Sequence, residues 1–166
     1  TKIVFDLEHI IRDITLKSSD RPIYLVGISL GSMAAIYQGL RHYHQNIKKV
    51  ITLATIANFQ YALPSSPILF KKDWWVWIRY KFFGVPINPL PEENRILSPL
   101  IQIQTMKEKF QRDSKLDTFL TQKCYLIHAD NDSIIGISHF YELYQETHLP
   151  SSNWLITRKG GHNFIT

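Results

Sequence analysis

The run Ile23-Tyr24-Leu25-Val26 is apolar at every position and stops at Gly27. It is too short for a helix, and a strand with no polar side fits a parallel sheet covered on both faces. Similar runs recur at Val50-Ile51-Thr52-Leu53-Ala54, Cys124-Tyr125-Leu126-Ile127-His128 and Trp154-Leu155-Ile156-Thr157. Between them the spacing turns helical. Ile3, Leu7, Ile10 and Ile14, with Val4 and Ile11 beside them, predict an amphipathic helix over about 2–16. Residues 31–43 return to helical character, and Ile137, Phe140, Tyr141 and Tyr144 mark another helix face. Strand, helix, strand is the crossover unit of an α/β fold, here with a parallel sheet of about four strands and flanking helices.

From Ile56 to about Gln122 the periodicity fails, and Pro64, Pro67, Pro86, Pro89, Pro91 and Pro99 break the segment into short pieces. An insertion over 57–121 is expected between core portions 1–56 and 122–166. With 166 residues the chain suits one domain with a core of its own. Its formal charge of +5 comes from scattered Lys and Arg, not from a stripe such as a nucleic-acid groove needs, so no nucleic-acid partner is expected. No apolar run reaches the roughly 18 residues of a membrane span. Cys124 is the single cysteine, which excludes an internal disulfide and leans towards a reducing, cytoplasmic setting; inside an apolar strand it should be inert.

The chemistry gathers where strands give way to loops. Gly27-Ile28-Ser29-Leu30-Gly31 matches GxSxG between a predicted strand and a predicted helix, the context of a nucleophile elbow. So sharp a turn strains the serine backbone, and side chains two residues to either side would collide, which Gly27 and Gly31 avoid. Ser29 then opens a helix, where free N–H groups and the positive dipole end favour a developing oxyanion; Leu30 N–H is the candidate donor. A serine hydroxyl needs a base and a group to hold that base. Asp130 and Asp132 follow the third strand and His162, in Lys159-Gly160-Gly161-His162, follows the fourth. Carboxyl ends of parallel strands share one rim, so these groups can converge.

The order Ser29, Asp132, His162 on successive strand ends resembles the α/β-hydrolase superfamily. His128-Ala129-Asp130-Asn131-Asp132 is similar to the family's His-Gly-x-x-Asp, with Ala129 in place of glycine, and Gly160-Gly161-His162 resembles its Gly-His turn. The resemblance implies Asp132 as the acid, with Asp130 the alternative. It also implies an acyl-enzyme mechanism without a cofactor, on a small and hydrophobic acyl substrate. Family members usually carry several strands before the elbow strand, and a loop there gives a second oxyanion donor; neither precedes Thr1. The four strands would then be the second half of the sheet. The expectation is a fragment, a truncated product, or half of an assembly whose other part completes the sheet.

The insertion is aromatic, with Trp74, Trp75, Trp77, Tyr80, Phe82 and Phe83. The resemblance implies a helical cap, in which Trp74, Trp75, Trp77, Phe82 and Phe83 wall an acyl pocket; the same rings could equally be the cap's own core. Lys71, Lys72, Arg79 and Lys81 interleave with them, which raises contact with an anionic membrane surface as a further reading. His42 and His44 are two apart, on different sides of a helix, and make poor joint metal ligands. His128, Asp130 and Asp132 lack further ligands, so no metal is expected. Beside the hydrolase stand an acyltransferase using the same triad and an inactive remnant serving as an interaction module.

Overall fold

The computed structural model describes residues 2–18, 20–42, 46–58, 82, 97–109 and 114–162. In chain order the elements are α1 (Lys2–Lys17), β1 (Ile23–Ile28), α2 (Leu30–Arg41), β2 (Ile47–Leu53), α3 (Pro99–Lys109) and α4 (Ser114–Thr118). A π-helical turn, Phe119–Lys123, leads into β3 (Cys124–Ala129), followed by α5 (Ser138–Thr147), a 3₁₀ turn at Ser151–Asn153 and β4 (Trp154–Thr157).

The strands form one sheet in the order β1-β2-β3-β4. Every pairing is parallel, with Ile28 opposite Leu53, Leu53 opposite Ile127, and Ile127 opposite Leu155. The carboxyl ends therefore share one rim. Each apolar run of the sequence is a strand, and β1, β2 and β3 are longer than their runs.

One face of the sheet carries the core. Leu25, Val50, Cys124 and Leu126 pack with Ile36 and Leu40 of α2, Ile103 of α3, and Phe140 and Leu143 of α5. α2 lies so near β2 that a Cβ on Gly39 would stand 2.6 Å from Val50 Cγ2 and 2.9 Å from Phe119 Cζ. Leu116, Phe119 and Leu120 belong to the same core. The described part of the expected insertion, 97–109 and 114–121, thus contributes Ile103, Leu116, Phe119 and Leu120 to the main core. Residues 59–81 and 83–96 lie outside the described residues.

Two expectations are corrected. β1 is buried on one side only: Ile23 and Leu25 are covered, while Tyr24, Val26 and Ile28 are 60%, 63% and 52% exposed. Apolar composition marked the strand but not its cover, which depends on what packs on the second face. In α1 the inward stripe is the buried Val4 and Ile11 with the half-buried Leu7 between them, against α2, with Gln38 Nε2–H donating to Val4 O at 2.7 Å. Ile3, Ile10 and Ile14 are exposed. A helix with one neighbour buries one stripe, and residues flanking it stay in water. No helix among the described residues is long and apolar enough to cross a membrane.

Candidate active site

Ser29 joins β1 to α2 with φ 51° and ψ −118°, a left-handed conformation that an L-residue adopts only at a cost of about 1–3 kcal/mol. The surroundings hold it there. Ser29 N–H donates to Leu53 O at 2.9 Å, and Ser32 N–H returns to Ser29 O at 3.0 Å. The buried Ser32 hydroxyl lies 2.9 Å from Gly27 O and 3.0 Å from Leu53 O, tying the turn to β2. A Cβ on Gly27 would meet Gly31 O at 2.5 Å and Ser32 Cα at 2.6 Å, so only glycine fits without moving backbone. Gly31 differs from expectation: among the described residues nothing lies within 4 Å of a Cβ built there. Among the described residues the steric demand is one-sided, because α2 turns back over Gly27 while nothing approaches Gly31. Leu30 is the first residue of α2, so its N–H has no carbonyl of the helix to bind.

The acid and the imidazole meet across the gap between β3 and β4. His162 Nδ1 lies 2.9 Å from Asp132 Oδ2. The Asp132 side chain is wholly buried, and its other oxygen, Oδ1, accepts Ile134 N–H at 2.8 Å and Ile135 N–H at 2.9 Å. These donors offset the loss of water around a carboxylate, which would otherwise be costly. With Oδ1 engaged by two amides, Oδ2 is the atom left to face the ring. Asp130 is exposed, and its N–H continues the β3–β4 ladder to Thr157 O at 2.8 Å.

The return of the chain to His162 relies on glycine. Gly160 has φ 126° and Gly161 φ 55°, both costly for other residues. Gly161 N–H donates to Asn131 Oδ1 at 3.0 Å, which anchors this turn to the acid loop.

Ser29, Asp132 and His162 thus all leave the sheet at its carboxyl rim. Asp132 and His162 are in direct contact; among the described residues no hydrogen bond links the Ser29 hydroxyl to His162. Phe82 is 70% exposed, and Trp74, Trp75, Trp77 and Phe83 lie outside the described residues. His42 caps α2 through its N–H to Gln38 O, and His44 lies outside the described residues. Among the described residues no group of three or more His, Cys, Asp or Glu is placed to hold a metal ion. Two further residues support the site, and of these the sequence had given no sign of Ser32. Ser32 bridges the elbow and β2, and His128 sits 1% exposed beneath the acid loop, its Nε2 2.9 Å from Ile135 O. In the sequence His128 stood out as part of the motif and as a weak metal-ligand candidate, since nothing in its neighbours says where its ring points.

This architecture recurs in solved structures. The esterase domain of a Rhodothermus marinus protein superposes with a TM-score of 0.58 at 17% identity, over 98% of this chain and 60% of that one. An acylaminoacyl peptidase of Pyrococcus horikoshii gives 0.55 at 20% identity, over 96% and 23%. An esterase of Pyrococcus furiosus gives 0.54 at 14%, over 99% and 56%. The chain therefore spans less than two thirds of each of these proteins. No protein-family model matches it, and no curated protein sequence matches it. The fold is that of the α/β-hydrolases, with four parallel strands that end on a rim carrying a strained serine and a paired aspartate and histidine.

Proposed function

We propose that this chain is a serine hydrolase that cleaves a carboxylic ester or related acyl bond. The observation that carries the reading is the buried Asp132 carboxylate aligned on His162 Nδ1 at 2.9 Å, on the rim where Ser29 holds a φ of 51°. That contact puts a proton on Nδ1 and leaves Nε2 as the basic nitrogen. His162 Nε2 takes the Ser29 hydroxyl proton as Oγ attacks the acyl carbonyl. Leu30 N–H donates to the oxyanion that forms. Collapse of the tetrahedral intermediate expels the alcohol, which receives its proton from His162, and the acyl group stays on Ser29. Water, deprotonated by His162, then attacks the acyl-enzyme and releases the acid, restoring Ser29. Asp132 keeps its charge throughout and stabilises the imidazolium.

An acyltransferase would follow the same steps with an alcohol or thiol in place of water. Labelling by a fluorophosphonate tests the core of the proposal. The parent should label, and Ser29→Ala and His162→Ala should not. A folded parent that stays unlabelled would defeat the claim that this chain acts on its own. Products formed with added alcohol separate hydrolysis from transfer.

A second reading, an interaction module, is favoured by the apolar surface at Tyr24, Val26, Ile28 and Leu155. An inactive remnant would keep this fold and show no serine reactivity. Further polypeptide, in the same chain or a partner, would cover this face and pair with the edge of β1 that no described strand occupies, in keeping with the greater length of the esterases of like fold.

A further inference from the structure

His128 takes no part in the proton transfers above, yet it is buried against the groups that do. It is the penultimate residue of β3, and its ring points beneath the loop that carries Asp132. With the proton on Nε2 it donates to Ile135 O at 2.9 Å. Ile135 is also the residue whose N–H donates to Asp132 Oδ1 at 2.9 Å. The near end of the loop is closed by Asp132 N–H donating to Ala129 O at 3.1 Å. The imidazole therefore grips the far end of the turn that presents two amides to the carboxylate. Its Nε2 is 3.9 Å from Asp132 Oδ2, too long for a hydrogen bond, so the carboxylate is left for His162. On its other side the ring meets the edge of Phe140 from α5, with centroids 6.3 Å apart and planes at 63°.

Burial, chiefly, holds His128 below the usual histidine range, and the Asp132 and His162 charges act in opposite senses on it. At neutral pH it is an uncharged ring with one proton to give.

We propose that His128 is a positioning residue for the Asp132–His162 pair: by holding the Ile135 carbonyl it keeps the Ile134 and Ile135 amides on Oδ1 and so aims Oδ2 at the His162 ring. The inference rests on the hydrolase reading for its effect on catalysis, but the hydrogen-bond arrangement stands apart from it.

Two variants and one spectroscopic measurement test it. His128→Leu keeps most of the volume and removes the donor, whereas His128→Gln returns an amide N–H at similar reach. His128→Leu should lower kcat by about 10- to 100-fold with KM close to the parent's, as expected for a misaimed group outside the substrate pocket. His128→Gln should recover much of the lost kcat. A folded His128→Leu with the parent's kcat would overturn the proposal, as would a Gln variant no better than the Leu variant. Nitrogen-15 NMR of the parent reads the arrangement even where His128→Leu does not fold. A slowly exchanging proton on His128 Nε2 is expected, and a proton found on Nδ1 overturns the proposal. That measurement needs no turnover, so it decides the point even in a parent that a fluorophosphonate leaves unlabelled.

Discussion

Asp132 holds His162 through Oδ2 at 2.9 Å while its other oxygen is saturated by the Ile134 and Ile135 amides. A neutral amide in place of the carboxylate would turn an NH₂ towards groups that are all donors. Asp132→Asn should therefore lower kcat/KM for a reactive ester by on the order of 10³- to 10⁴-fold while the fold survives. Asp130→Asn, at an exposed site, should change it by less than about twofold. Steady-state assays of the two variants check this, and a larger loss for Asp130→Asn would reverse the assignment of the acid.

The two glycines of the elbow should respond differently. Gly27→Ala drives a methyl into the Gly31 and Ser32 backbone, so a loss of about 1–3 kcal/mol in unfolding free energy is expected, together with weaker fluorophosphonate labelling. Gly31→Ala places its methyl clear of every described residue, within a helix where alanine is favoured over glycine by up to about 1 kcal/mol. Its denaturation midpoint should hold or rise. Equal losses in the two variants would contradict the one-sided packing.

Burial pushes the Cys124 thiol up to about 12. At pH 8 the thiolate fraction is on the order of one in 10⁴, and the thiolate is the reacting species. Native protein should therefore resist maleimide for hours and react at once in denaturant. Rapid labelling of folded protein would place Cys124 outside the core.

His128 and His139 are both held below the ordinary histidine value of 6.5, chiefly by burial. Protonation then favours the unfolded chain, which binds protons first as pH falls. Stability should be flat above about pH 7 and decline as pH drops below 6.5 towards the lower folded-state values. Urea midpoints across this range should show the decline, and the His128→Gln variant should show less of it. Rising stability on acidification would contradict the burial of both rings.

The outer face of β1 should make the isolated chain sticky. Val26→Thr and Ile28→Thr together remove apolar surface that is 63% and 52% exposed in the parent. The pair should reduce binding of a hydrophobic dye and raise the concentration at which the chain stays monomeric, with little change in the unfolding midpoint. A large fall in midpoint would mean that this face is already packed.

Much of the architecture was legible because it rests on local pattern. Runs such as Cys124 to His128 are strands because they are short, apolar and bounded by breakers, and Gly27 and Ser29 mark a turn whose backbone few other residues tolerate. The choice between Asp130 and Asp132 was open, since a short acidic loop can turn either residue inward. The packing of Ile103 and Phe119 into the main core was also hidden, because proline-rich stretches look alike whether they leave the core or rejoin it.

By itself, the sequence determined the order of strands and helices, the strained serine between the first strand and its helix, and the residues available at the rim. These follow from periodicity, sterics and chain order, which act over a few neighbours. The tertiary structure alone decided that Asp132 meets His162, that Gly27 and not Gly31 is sterically required, that His128 lies under the acid loop, and that one face of β1 is left uncovered. Each depends on where separate segments pack against one another in three dimensions.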